Sequence, residues 1–253
     1  MKRILGIILI FILAMTVISI FTQKPKKVVK VRPVIKGKIA IVLDDWGYNL
    51  SDLQIVDQIR YPFTAAVLPE ATHSRKVSEG LHSRGYEIIL HFPMEPEERN
   101  DLEKNTVTTS LTKPEILKIL DRDLADVVYA KGISNHMGSK ATRDIRTMTV
   151  IFQELKKRRL YFLDSYVTSK SICRDLARKM SLTSFRRDVF LDNIEEKEYI
   201  KKQIYILKNK ARLQGFAVGI GHDRKITLEV LREVMPEMAK EGYKFVFLSE
   251  LKR

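Results

Sequence analysis

Ile39-Ala40-Ile41-Val42-Leu43-Asp44-Asp45-Trp46-Gly47 is an uninterrupted apolar run that stops at two carboxylates. A short apolar run of this kind reads as a β-strand. Successive strand side chains point to opposite faces. Asp44 and Asp45 can therefore reach one site only where the strand is ending, and Gly47 supplies a turn for that ending.

Outward from this stretch the chain alternates in type. Further β-like runs fall at 64–68, 87–90, 132–134, 161–163, 183–185, 216–220 and 243–248, and charged segments with helical periodicity separate most of them. Gly85, Gly215 and Gly242 follow helical segments as stops, and Thr112-Lys113-Pro114-Glu115 has the form of a capping box. Strands separated by helices pair in parallel through right-handed crossovers. Seven or eight such units, with no linker-like break after Lys38, predict an α/β fold. The expected architecture is a distorted (β/α) barrel over 38–253, with an open doubly wound sheet as the alternative. The longest stretch without periodicity, 92–111, directly follows His91 and is expected at the active-site rim.

In either architecture the C-terminal ends of strands lie on one face, so residues distant in sequence meet there. His91 follows Glu87-Ile88-Ile89-Leu90, His136 sits in Ser134-Asn135-His136-Met137-Gly138-Ser139, and His222 ends Ala217-Val218-Gly219-Ile220-Gly221-His222. Imidazoles at strand ends facing paired aspartates suit Zn²⁺ or a related divalent metal with a position left open, and so point to metal-assisted hydrolysis. His73 and His82 fall in a helical segment and receive no role. Asp164 ends another strand and is a candidate to orient a histidine or bind substrate. Arg187 is expected on the same rim as a support or substrate contact. Lys140 and Arg143 offer an anion site, the sole support for a metal phosphoesterase. The Gly219-Ile220-Gly221 run lacks the spacing and the lysine of a phosphate loop.

The 253 residues carry a net charge of +14. The bases are interleaved with acids along helical segments, as in Glu195-Glu196-Lys197-Glu198-Tyr199-Ile200-Lys201-Lys202, which marks solvated faces. With no zinc-finger spacing and no RNA-recognition aromatic motif, no nucleic-acid partner is expected. Cys173 stands alone, so no intrachain disulfide forms. Lys2 and Arg3 precede an uncharged apolar stretch over 4–22, long enough to span a bilayer and lacking a clear cleavage site. An uncleaved signal anchor over 1–22 is favoured above a cleaved signal peptide, followed by a basic, proline-containing linker over 23–37. The positive-inside rule taken alone would hold the remainder in the cytoplasm, whereas the short basic head is that of an export signal. The expectation is a membrane-anchored chain with its folded domain outside the cytoplasm, periplasmic or at the cell surface, or secreted if the segment is cleaved.

Leu43-Asp44-Asp45-Trp46-Gly47, Leu90-His91-Phe92-Pro93-Met94-Glu95, Ser134–Ser139, Phe162-Leu163-Asp164-Ser165 and Gly219-Ile220-Gly221-His222 together resemble the divergent polysaccharide deacetylase family. The resemblance covers nearly all of 38–253 and implies the distorted barrel of the NodB-like carbohydrate esterases. It implies Asp44 as general base, Asp45 and His91 as ligands of a metal that is usually zinc, and His222 as general acid. Two departures stand out. The second histidine ligand of that pattern lies four residues after the first, where this chain has Glu95. His136 occupies the strand on which an arginine usually steadies the base. His136 is therefore expected to supply the third metal contact, with Glu95 as the alternative.

The function expected is a metal-dependent hydrolase removing N-acetyl groups from an envelope or cell-wall polysaccharide. The altered ligand pattern motivates a second reading, a non-catalytic glycan-binding or scaffold protein on the same fold.

Overall fold

The computed structural model describes residues 35–98 and 102–251. The expected membrane segment and most of the linker lie outside the described residues. Among the described residues, no helix is long and apolar enough to cross a membrane.

The elements follow in the order β1 (Gly37–Trp46), α1 (Leu53–Val56), β2 (Thr64–Val67), α2 (Ser74–Ser83), β3 (Glu87–Met94), α3 (Lys113–Asp126), β4 (Ala130–Met137), α4 (Ile145–Arg158) and β5 (Tyr161–Asp164). The second half continues with α5 (Cys173–Met180), β6 (Ser184–Arg186), β7 (Val189–Phe190), α6 (Lys197–Gln214), β8 (Phe216–His222), α7 (Lys225–Lys240) and β9 (Tyr243–Phe245). Every strand pairing is parallel, in the order β6-β5-β4-β3-β2-β1-β8-β7. β9 joins β1 alongside Gly37–Ile39, on the edge that β2 takes over from Val42.

The two ends of this order, β6 and β7, are separated in the chain only by Arg187 and Asp188. They are halves of one bent segment that leaves β5 and arrives at β8, so the chain itself closes the barrel. Asp188 fixes the crossing: its N–H donates to Val218 O (2.8 Å) and its carboxylate accepts from Val218 N (2.9 Å). The expected barrel is thus present, while β7, too short to read from periodicity, was not expected. The predicted eighth run stops pairing at Phe245 and turns across the barrel base.

Strand parity divides the core in two. Ile39, Ile41, Leu43, Ile88, Leu90, Ile133 and Ala217 pack outward in the cluster shared with the helices. Ala40, Val42, Ala66, Ile89, Leu163, Val218 and Ile220 face inward. At the base, buried Glu87 accepts from Thr64 Oγ1 (3.0 Å), Tyr161 OH (2.8 Å) and Ser249 N (3.2 Å), which ties the C-terminal segment beneath the barrel. Leaving one of those buried donors unpaired costs about 1–3 kcal/mol.

The expected helix signals are present: Thr112 N and Oγ1 both donate to Glu115, and Gly85, Gly215 and Gly242 take positive φ. Four strands, β1, β3, β4 and β8, run further than expected. β3 continues through Pro93 to Met94, and the 92–111 segment folds back so that Val107 N donates to Pro93 O and Glu95 N to Val107 O, both 2.9 Å. β1 does not end at the aspartates; it runs on to Trp46, with a consequence for the site.

Candidate metal centre

Inward parity carries Asp44 (with Ala40 and Val42), His91 (with Ile89), His136 (with Ser134) and His222 (with Val218 and Ile220) to the C-terminal rim of the barrel. Asp45 has the wrong parity. Its backbone is left-handed (φ 67°), and between Leu43↔Ala65 and Trp46↔Val67 β1 spends one residue more than β2. This bulge, not a strand end, turns Asp45 into the cluster beside Asp44. A non-glycine residue held left-handed costs on the order of 1–3 kcal/mol, and such strain collects at functional sites. β4 ends at Met137, where consecutive left-handed residues, Met137 (φ 52°) and Gly138 (φ 88°), follow His136.

Asp45 is the hub. Its Oδ1 lies 3.4 Å from His91 Nε2 and 3.3 Å from His136 Nδ1, and its Oδ2 lies 3.6 Å from His222 Nε2. Asp44 Oδ2 is 3.6 Å from His91 Nε2. The candidate ligand atoms of Asp45, His91 and His136 all fall within 4.8 Å of one another. These contacts are long for hydrogen bonds, and Oδ1 of both aspartates and Nε2 of His136 are buried with no hydrogen-bond partner. A tetrahedral zinc site with bonds of about 2.0–2.1 Å separates its ligand atoms by about 3.3–3.4 Å. The donor set, its spacing and its orphaned polar atoms therefore fit a divalent cation.

The surroundings orient this set. His91 Nδ1 is 2.7 Å from Ser134 Oγ, which leaves Nε2 toward Asp45. Burial holds the His91 imidazole down at about pKa 4. Burial opposes charge on Asp45 too, but His136 and His91 outweigh it and pull its carboxyl well below the usual range. Asp44 behaves oppositely: burial, then the charges of Asp45 and Asp192, push it well above the usual range, and the charge of Arg187 opposes them. A bound cation reverses such a shift.

His222 has a fixed partner. Its Nδ1 lies 2.9 Å from Asp192 Oδ1, while Asp192 Oδ2 accepts from His222 N (2.8 Å) and Thr227 Oγ1 (2.7 Å). A Cβ at Gly221 would meet Thr227 at 3.2 Å and Asp192 at 3.4 Å, so glycine allows this close approach. Burial works against the imidazolium, but the hydrogen bond and charge of Asp192 raise the His222 pKa. Asp223, beside it, is pushed up to about 7 by burial and by Asp45. Asp192 and Asp223 were missed in the sequence. Asp192 belongs to the β7 strand end, and without β7 nothing placed it on the rim.

Glu95 and Asp164 are placed otherwise than one of their expected roles required. Glu95 is buried, accepts from Thr109 N (2.6 Å), Thr109 Oγ1 (2.7 Å) and Lys140 Nζ (2.8 Å), and is held at a pKa of about 2 against its burial by Lys140 and Thr109. It anchors the 95–111 segment and lies outside the Asp45–His91–His136 group. Asp164 accepts from Tyr166 N (2.8 Å) and Ser171 Oγ (2.7 Å), so it organises the loop after β5, and among the described residues it pairs with no histidine. Arg187 does reach the site. Together with Asp44, Asp45, His91, His136 and His222 it lines a cavity of about 240 Å³.

A parallel α/β barrel with an Asp–His–His cluster at its C-terminal rim defines the class, and the comparisons define the family. Residues 41–252 match the divergent polysaccharide deacetylase family, and the chain belongs to it. It is 35% identical over 203 residues to the uncharacterized protein YibQ of Escherichia coli K12, covering 80% of this chain and 64% of that protein. The chain thus spans somewhat less than two thirds of that relative. Among solved structures, it is similar to the uncharacterized protein ATU2773 of Agrobacterium tumefaciens C58 (TM-score 0.81, 21% identity, 88% of this chain and 91% of that one). A family 4 acetyl xylan esterase of Clostridium thermocellum, in complex with a cobalt ion, shares the fold at a TM-score of 0.53 (14% identity, 85% and 89% coverage). So does BA3943, a CE4 family pseudoenzyme of Bacillus anthracis (TM-score 0.53, 11% identity, 87% and 66% coverage).

Proposed function

We propose that this chain is a metal-dependent hydrolase that removes N-acetyl groups from an envelope or cell-wall polysaccharide. The observation that carries the reading is Asp45 Oδ1 at 3.3–3.4 Å from two imidazole nitrogens, unbonded and buried, with a second carboxylate beside it. Asp45, His91 and His136 would hold the cation, for which zinc suits the mixed oxygen and nitrogen donors. When bound, such a cation polarises a carbonyl and makes water a stronger acid. Asp44 accepts the proton of the attacking water. Arg187 opposes the burial that would otherwise keep Asp44 protonated, as a bound cation would too. His222 presents Nε2 to the cavity because Nδ1 is committed to Asp192, and it protonates the departing amine.

The site of action proposed is outside the cytoplasm, at the membrane, supported by Lys2, Arg3 and the apolar stretch over 4–22. A non-catalytic glycan-binding protein is the second reading. His136 standing in place of the family's base-steadying arginine favours it, and a pseudoenzyme on the same fold shows that the architecture tolerates loss of turnover.

Metal analysis of the purified chain, followed by acetate release from a panel of N-acetylated glycans, separates the two. Stoichiometric metal with acetate release supports the hydrolase. Glycan binding with bound metal and no release supports the second reading.

A further inference from the structure

Arg187 sits at the bend that closes the barrel between β6 and β7, and its contacts hold it still. Its backbone N–H donates to Asp164 O (3.0 Å), Nε donates to Ser165 O (2.6 Å), Nη2 donates to Tyr166 O (2.9 Å), and the guanidinium lies 4.7 Å from the centre of the Phe190 ring. These partners are neutral. Among the described residues no carboxylate forms an ion pair with Arg187, although it is half-buried and lines the cavity with Asp44, Asp45 and His222. Of the five guanidinium N–H groups, two are spent on carbonyls, which leaves a preset fork of donors.

The other charges in the cavity have counterparts. Asp192 answers His222. On the reading proposed above, a divalent cation answers Asp44 and Asp45. Asp44 and Asp164 act on Arg187 through space, but among the described residues neither accepts a hydrogen bond from its guanidinium.

We infer that Arg187 is a specificity determinant that receives a carboxylate of the substrate, so that the chain selects an acidic glycan, with the carboxyl group on the acylated sugar or on its neighbour. Arginine presents the fork geometry that carboxylates match in bidentate fashion, and a fork already anchored loses little freedom on binding. The inference rests on the proposed site but not on turnover.

The test is a binding measurement on the zinc-loaded full chain in detergent, with Asp44→Asn present throughout to prevent hydrolysis. The probes are glucuronyl-β1,3-N-acetylglucosamine and the glucosyl disaccharide of the same linkage, which differ only in a carboxylate. The acidic disaccharide is expected to bind about ten- to a hundredfold more tightly, the worth of a hydrogen bond to a charged group. Arg187→Gln should bring it down to the neutral level, so that the two disaccharides bind alike. Arg187→Lys should recover part of the preference. Arg186→Gln, whose guanidinium lies over the Tyr166 ring at 4.5 Å and which does not line this cavity, should change neither. Equal affinities in the parent, no binding of either probe, or a preference that survives Arg187→Gln would overturn the assignment. A preference for the acidic probe, with no acetate release from the same probe by the chain retaining Asp44, would leave Arg187 assigned and count against the hydrolase reading alone.

Discussion

His222 Nδ1 stands 2.9 Å from Asp192 Oδ1, and Thr227 and the backbone of His222 hold the other oxygen of Asp192 in place. The pair fixes the tautomer: Nδ1 is turned to the carboxylate and Nε2 to the cavity. Because Asp192 raises the His222 pKa, Asp192→Asn should return the imidazole to a lower value. The alkaline limb of the pH–rate profile, set by loss of the general acid, should move to lower pH. The rate at its optimum should fall about tenfold to a hundredfold. An unchanged alkaline limb in Asp192→Asn would show that His222 is not the acid.

Metal retention distinguishes the candidate ligands. His91→Ala and His136→Ala should each lower bound zinc at least tenfold relative to His73→Ala, which alters a residue outside the cluster. Glu95→Ala should keep its zinc and instead loosen the 95–111 segment, since Lys140 and Thr109 lose their shared acceptor. Proteolysis within that segment and metal content by mass spectrometry read the two effects separately. Zinc loss in Glu95→Ala with full zinc in His136→Ala would exchange their roles.

Acid stability follows from His91. Its pKa in the folded chain, about 4, lies below the ordinary 6.5 because burial opposes the charged ring. As pH falls the unfolded chain takes up this proton first. The stability present above about pH 6.5 is therefore lost progressively toward pH 4, by up to about 3 kcal/mol. His222, whose pKa is raised, acts in the other sense: its contribution is full below about pH 6.5 and is lost as pH rises through its folded value. Thermal melts in chelator between pH 7 and pH 4 should show a steeper loss for the parent than for His91→Asn. Parallel slopes would contradict a buried neutral His91.

The proposed location is tested in intact cells. A tagged chain should sediment with membranes and resist high salt, and protease added to spheroplasts should digest the folded domain. Protection until lysis would place the domain in the cytoplasm.

Much of the barrel was legible because its strands are buried on both faces and so read as apolar runs, and because glycines and one capping box mark the helix ends. What was hidden has local causes. β7 is two residues long, carries no periodicity, and is defined by its pairing with β8, so nothing in the sequence placed Asp192 on the rim. Apolar runs locate strands but not bulges, and Asp45 enters the site through a left-handed residue that parity alone would exclude. The resemblance made Glu95 the alternative third ligand, and no local signal announced its pairing with Lys140, distant in sequence.

The most direct test of the central claim compares Asp44→Asn with Asp45→Asn for metal content and acetate release. Asn at position 45 removes an anionic ligand and should weaken metal binding, with some activity returning in excess Zn²⁺. Asn at position 44 should leave the metal in place and remove the proton acceptor, lowering the rate by roughly 10²–10⁴-fold. A metal-replete, nearly inactive Asp44→Asn is the predicted result. Full acetate release by Asp44→Asn would contradict the account.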